Sequence, residues 1–98
     1  MNKRSKACDI SMQVKMEVWN RDNNCCVVCG NPQAMPNAHY ISRAKGGLGV
    51  EQNIVTLCSH CHFLFDNSIS RKNLKIQISE YLKTKYENWK EENLIYKK

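Results

Sequence analysis

Two closely spaced pairs of cysteines carry the clearest chemical signal in the chain. Cys26 and Cys29 form one Cys-x-x-Cys pair, and Cys58 and Cys61 form another after an interval of 28 residues. Two such pairs can present four thiolate sulfurs tetrahedrally around one Zn²⁺ ion. Because four sulfurs complete the coordination shell and leave no open position, the spacing predicts a structural zinc site rather than a catalytic one.

Two cysteines lie outside this pattern. Cys25 adjoins Cys26 and could replace it as a ligand, although the spacing to Cys29 favours Cys26. Cys8 is expected to be a small buried apolar residue. A redox-active dithiol and unligated core cysteines are the alternative interpretations of the paired residues.

The segment around and between the cysteine pairs has a recognisable order of residues. Ala38-His39-Tyr40-Ile41 is followed by Gly46-Gly47, then by Asn53, and then by Leu57-Cys58-x-x-Cys61-His62. This order resembles the HNH endonuclease family in its zinc-knuckle form, especially the small HNH proteins encoded by bacteriophages and prophages. The preceding Trp19-Asn20-Arg21-Asp22 is also similar to such proteins.

The resemblance implies a fold and a set of roles. The implied fold class is a small, zinc-stabilised α+β domain with a beta-beta-alpha-metal core and flanking helices, in which two strands and a helix grip a divalent ion. His39 matches the general base of the family, Asn53 matches the residue that ties the loop across the hairpin, and His62 matches a metal ligand. The implied cofactors are the structural Zn²⁺ and a catalytic Mg²⁺, Mn²⁺ or Ni²⁺.

The second ligand of the catalytic metal is the point where the chain departs from the family. Many members carry an acidic residue or a histidine immediately before the general base, whereas this chain has Ala38, which cannot hold a metal. Asp66 follows His62 by four residues, so both side chains share one helical face and can converge on one cation. A surface carboxylate at a helix end is the other interpretation of Asp66. His60 is expected to point elsewhere.

The charge balance favours a polyanionic partner. The chain has 15 Lys and Arg against 9 Asp and Glu, a formal net charge of +6. Residues 31–66 are neutral on balance and both flanks are positive, which suits a central site between groups that hold phosphates. The predicted DNA contacts are Arg43, Lys45, Arg71, Lys72 and Lys75, joined by Lys3, Arg4 and Lys6 in a flexible arm. Phosphate contacts of this kind predict low sequence specificity.

The elements that must position these residues follow from apolar spacing and breakers. A helix is predicted over 9–19 with Asp9 as its N-cap, although the alternation of apolar residues there also fits a strand. No regular structure is expected between Pro32 and Pro36. Strands are predicted over 38–41 and 54–57, and helices over 58–66 and 71–86.

The length of 98 residues predicts a single domain over 1–98. It would comprise a basic arm and helix over 1–24, the zinc-knuckle core over 25–66 and a helical extension over 67–98. No apolar run is long enough for a membrane span, so we expect a cytoplasmic location, in a bacterial host cell if the gene is of phage or prophage origin.

Three functions are then to be compared: a metal-dependent DNA endonuclease, a non-catalytic zinc-ribbon module that binds nucleic acid, and a thiol redox protein. The endonuclease is favoured because only that function uses the two histidines and Asn53. By analogy with phage members of the family, a terminase is a further expected partner.

Overall fold

The computed structural model of the protein describes residues 2–97. Its elements, in chain order, are α1 (Lys3–Cys8), α2 (Met12–Arg21), β1 (Ala34–His39), β2 (Ile54–Cys58), α3 (Ser59–Asn67) and α4 (Arg71–Lys85). Short 3-10 helices cover Arg43–Lys45 and Glu91–Leu94. The predicted α+β class is confirmed. No helix in residues 2–97 combines the length and the apolar character needed to cross a membrane.

The first strand begins earlier than the sequence predicts. β1 and β2 pair antiparallel, with Met35 opposite Leu57 and Ala38 opposite Val55. Pro36 therefore lies in the irregular step of β1, where two residues oppose one residue of β2. A bulge of this kind tolerates proline because the local ladder of hydrogen bonds is already interrupted. The expectation of no regular structure up to Pro36 was wrong for this reason.

The N-terminal residues expected to form a flexible arm are helical instead. The Oδ1 atom of Asn2 accepts a hydrogen bond from the backbone N–H of Ser5 at 2.8 Å, which caps α1. Asp9 then follows the end of α1 rather than capping α2. Ser11 caps α2 by accepting a hydrogen bond from the N–H of Val14 at 3.1 Å. A helix was correctly predicted here, but it begins at Met12 rather than after Asp9, because Asp9 caps the C-terminal end of α1.

One hydrophobic core joins the sheet to the helices that follow it. On α4, Leu74, Ile78 and Leu82 are buried on one face, as the apolar spacing predicts. Each such side chain contributes roughly 1.5–3 kcal/mol when fully buried. The C-terminal segment docks on the same core, where Trp89 packs edge-on against Tyr40 with ring centroids 5.4 Å apart.

Two charged residues at the end of α2 cover the outer edge of β2. Asp22 Oδ2 accepts a hydrogen bond from the backbone N–H of Thr56 at 2.9 Å, and Arg21 Nη2 donates to the carbonyl of Ile54 at 2.8 Å. The two side chains are also paired with each other, with Arg21 Nε 2.7 Å from Asp22 Oδ1. The hydroxyl of Tyr81 on α4 donates to the same carboxylate at 2.6 Å. The pair therefore links α2, β2 and α4.

Asp22→Ala is expected to lower the free energy of unfolding by about 3–5 kcal/mol, because it leaves the largely buried guanidinium of Arg21 without its counter-charge. Urea unfolding of the metal-loaded protein, followed by far-UV circular dichroism, measures this loss. Glu87→Ala removes an exposed carboxylate and is the control, with an expected change below about 0.5 kcal/mol. Equal midpoints for the two variants would contradict the linking role of Asp22.

Candidate functional site

The four paired cysteines come together at one end of the sheet. The Sγ atoms of Cys26, Cys29, Cys58 and Cys61 all lie within 4.8 Å of one another. Cys29 Sγ and Cys58 Sγ, which come from different pairs, are 3.6 Å apart. Four sulfurs at about 2.3 Å from a central zinc would be separated by about 3.8 Å, so the cluster fits a tetrahedral Zn²⁺ site. The structure thus places four cysteines to hold a metal ion.

Backbone geometry around each pair explains how the sulfurs converge. In the first pair, Gly30 has a φ of 80° and donates its N–H to the carbonyl of Cys26 at 2.9 Å, which closes a tight turn. In the second pair, Cys58 ends β2 and caps α3, because its Sγ accepts a hydrogen bond from the N–H of Cys61 at 3.4 Å. Each Cys-x-x-Cys pair is therefore held by a hydrogen bond within its own segment.

The thiols of the cluster differ in acidity. Burial opposes ionisation of Cys26, but backbone N–H groups, that of Cys29 first among them, direct hydrogen bonds at its sulfur and lower its pKa to about 7. Burial raises the pKa of Cys61, and hydrogen bonds from the other thiols raise it further. A metal ion is what would hold all four groups as thiolates together.

Neither of the remaining cysteines joins the cluster. The Sγ of Cys25 donates to the carbonyl of Asp22 at 3.4 Å, so Cys26 is the member of the first pair, as its spacing favours. Cys8 is buried, with 2% of its surface exposed, as expected for a small apolar residue.

His39 is the last residue of β1 and is half-buried. Its Nε2 atom lies 2.9 Å from the carbonyl oxygen of Cys8, which makes that nitrogen the donor of a hydrogen bond. Burial lowers the pKa of His39, the hydrogen bond to the Cys8 carbonyl opposes this, and the positive charge of Arg43 lowers the pKa further. The imidazole is therefore neutral at pH 7, the state in which a ring nitrogen can accept a proton.

Asn53 is fully buried and joins the two ends of the loop that follows His39. Its Oδ1 accepts a hydrogen bond from the N–H of Ile41 at 2.8 Å. Its Nδ2 donates to the carbonyls of Leu48 at 2.8 Å and Ile41 at 3.2 Å. Gly47 completes this packing, because a Cβ at that position would lie 1.7 Å from the carbonyl oxygen of Ile41. These contacts tie Asn53 to both ends of the loop.

His62 and Asp66 lie on one face of α3, with His62 Nε2 3.4 Å from Asp66 Oδ2. Both side chains are partly exposed, at 35% and 56%. Two ligands at right angles on an ion with bonds of about 2.1 Å would be about 3.0 Å apart, so the pair fits neighbouring positions of an octahedral divalent cation.

Two neighbours of the pair add no ligand to it. Ala38 is fully buried in the core, and His60 is exposed. Within residues 2–97, the cysteine cluster is the one group of three or more potential ligands, so the His62–Asp66 pair would need water or phosphate oxygens to complete a shell.

The residues predicted to contact DNA differ in their surroundings. Lys45 and Lys72 are exposed. Arg43 forms an ion pair with Asp9 at 2.9 Å, so part of its charge is already balanced. Arg71 lies over the ring of Phe65 at 5.8 Å, and Lys75 lies over the ring of Tyr40 at 5.5 Å. These last contacts place two of the cations beside α3 and beside the residue that follows His39.

An open groove of about 660 Å³ runs beside His62 and was not predicted from the sequence. Its lining includes Trp19, Met35, Asn37 and Leu57. The Oδ1 atom of Asn37 is buried and has no hydrogen-bond partner in the part of the chain that the structure describes. The groove therefore offers apolar surface next to a predicted metal ligand. No residue spacing signals it, because Asn37 lies in the bulge of β1.

Comparison with known proteins supports the resemblance seen in the residues. Residues 26–63 match the family model described as HNH endonuclease. The matched segment contains all four clustered cysteines together with His39, Asn53 and His62, and it ends before Asp66. No curated protein matches the chain.

Proposed function

We propose that the protein is a metal-dependent DNA endonuclease of low sequence specificity that hydrolyses phosphodiester bonds. The observation that carries this proposal is the placement of two histidines of the HNH-matched segment on neighbouring elements. His39 ends β1, and His62 lies on α3, a helix that contacts β1. A neutral base beside a potential metal ligand is the arrangement that hydrolysis of a phosphodiester requires.

In this mechanism His39 is the general base. Nε2 donates to the carbonyl of Cys8, so Nδ1 carries the lone pair that would take a proton from the attacking water. His62 and Asp66 would hold a divalent ion, which when bound supplies positive charge to the phosphate and to the leaving 3′-oxygen. Asn53 would keep the loop and His39 in register by its three hydrogen bonds to the loop backbone.

The net positive charge and the family match support DNA as the substrate. The cations at Arg43, Lys45, Arg71, Lys72 and Lys75 would contact phosphates on either side of the cut. Contacts to phosphates position a duplex without reading its bases, so weak specificity is expected. The cysteine cluster would hold a structural Zn²⁺ and take no part in the reaction.

Incubation of supercoiled plasmid with the zinc-loaded protein tests the proposal. We expect nicked DNA to accumulate with Mg²⁺, Mn²⁺ or Ni²⁺ and not with EDTA. Binding of the same plasmid without cleavage under any of the metals would contradict the enzyme assignment. It would favour the zinc-ribbon binding module, for which the presence of Ala38 in place of a metal ligand is the specific argument.

Asp66→Ala is expected to raise the concentration of Mg²⁺ or Mn²⁺ needed for half-maximal nicking by about tenfold or more, because it removes one of two protein ligands. Affinity for DNA measured by fluorescence anisotropy should change less than the metal requirement. Glu80→Ala, which also removes an exposed carboxylate, is the control. An unchanged metal titration for Asp66→Ala would rule out the ligand role.

The proposed biological setting rests on analogy rather than on contacts in the structure. A phage or prophage origin and a terminase partner follow from analogy with other small proteins that carry this motif. Co-purification of the tagged chain with a terminase large subunit from the same genome tests the partner.

A further inference from the structure

The C-terminal end of α1 lies against His39, although 31 residues separate them in sequence. The contact is between His39 Nε2 and the carbonyl oxygen of Cys8, which is the last residue of the helix. A helix of six residues is too short to persist alone, so its position depends on what holds it to the rest of the protein.

Several contacts hold α1 over the loop that follows β1. Arg4 Nη2 donates to the carbonyl of Ala44 at 2.9 Å. The ion pair between Arg43 and Asp9 spans the same junction at 2.9 Å. Gly49 donates its N–H to the carbonyl of Ala7 at 3.0 Å.

The approach of Gly49 leaves no room for a side chain. A Cβ on this residue would lie 2.0 Å from the carbonyl oxygen of Asp9 and 3.0 Å from that of Cys8. Any larger residue at position 49 must therefore shift the junction that carries the Cys8 carbonyl.

The direction of the hydrogen bond decides which ring nitrogen is available. A carbonyl oxygen only accepts, so in the neutral ring Nε2 must carry the hydrogen. Nδ1 is then the unprotonated nitrogen, and no hydrogen-bond partner for it lies within residues 2–97. The contact therefore selects one tautomer and fixes the ring plane at the same time.

We propose that α1 is a positioning element for the general base: the backbone carbonyl of Cys8 holds His39 in the tautomer that presents Nδ1 to the attacking water. This inference rests on the proposed endonuclease function. The residues that act through His39 are Cys8 by its carbonyl, and Asp9 and Gly49 by holding that carbonyl in place.

Nitrogen-15 NMR of the zinc-loaded protein at pH 7.5 tests the proposal directly. We expect the His39 ring to show a protonated Nε2, with a proton that exchanges slowly with water, and an unprotonated Nδ1. The assignment uses the resonances that disappear in His39→Ala. A protonated Nδ1, or an Nε2 proton that exchanges as fast as that of the exposed His60, would overturn the proposal.

Two variants connect the tautomer to activity. Gly49→Ala should abolish the protected Nε2 proton and lower plasmid nicking by about 10–100-fold, while the affinity for DNA stays within about twofold of the original. Asp9→Asn removes the charge that pairs with Arg43 and should cause a smaller change in the same direction. Gln13→Ala, on the exposed side of α2, is the control.

The outcomes separate this proposal from the one it rests on. If the unaltered protein nicks DNA and Gly49→Ala loses the protected proton but nicks equally well, α1 has no positioning role and the endonuclease function stands. If the unaltered protein fails to nick DNA with any of the metals tested, the endonuclease function fails and this inference fails with it. Should Gly49→Ala not fold, the spectrum of the unaltered protein and the activity of Asp9→Asn decide.

Discussion

Cys58→Ser is expected to leave the chain unfolded at room temperature. Cys58 combines three structural functions, since it ends β2, caps α3 and contributes one of the four clustered sulfurs. Structural zinc sites contribute on the order of 10–16 kcal/mol of apparent binding free energy at pH 7, and in small domains that energy is folding energy. A core of this size stabilises a chain only marginally by itself.

Circular dichroism and metal analysis of Cys58→Ser measure this effect. We expect no cooperative thermal transition and no bound metal, and a chelator should produce the same state from the unaltered protein. Cys25→Ser is the matched control, because Cys25 adjoins the cluster without belonging to it. A cooperative transition at an unchanged temperature in Cys58→Ser, or after chelation, would show that the cluster does not stabilise the fold.

His39→Ala is expected to reduce plasmid nicking by about 10²–10⁴-fold, the usual contribution of a general base. Its affinity for DNA should change little, because the cations proposed to contact phosphate are unaffected. His60→Ala is the control, since His60 is exposed and separated from the pair on α3 that is proposed to hold metal. Residual nicking equal to that of the unaltered protein would remove His39 from the mechanism.

The pH dependence of nicking gives an independent check on the same residue. The base must be neutral to accept a proton, so activity is lost as the pH falls through the pKa of His39. That pKa is lowered from its usual 6.5, first by burial. We therefore expect the acidic limb of the profile to have its midpoint below 6.5, and a midpoint above that value would contradict the assignment.

Much of the fold could be predicted from the sequence because local patterns determine it. The apolar spacing on α4 and the limits of β2 depend on neighbouring residues, and both were predicted to within one residue. The start of β1 was not, because a proline was treated as a breaker and the bulge that accommodates Pro36 depends on pairing with β2. The helix α1 was missed because its contacts are made with residues about 40 positions away.

The candidate site, like the fold, could be predicted from the sequence only in part. The cysteine spacing predicted the cluster, and the motif predicted that His39, Asn53 and His62 would belong to one hairpin and helix. The contact between His39 and Cys8 could not be predicted, because a backbone carbonyl leaves no signature in residue type. The contacts of Arg21 and Asp22 with β2 likewise could not be predicted, since adjacent charges give no indication that they reach a distant strand.

The protection of the outer side of β2 also bears on self-association. A two-stranded sheet has two open edges along which another chain could add a strand, and proteins commonly block such edges. Pro36 interrupts one of them, while Asp22 and Arg21 occupy the other together with Val27, whose N–H bonds to the carbonyl of Thr56 at 3.0 Å. Val27 belongs to the first knuckle, and the metal-free chain is expected to unfold, so loss of the metal would leave the residues of β2 without this cover. We therefore expect the metal-free chain to aggregate through the residues of β2.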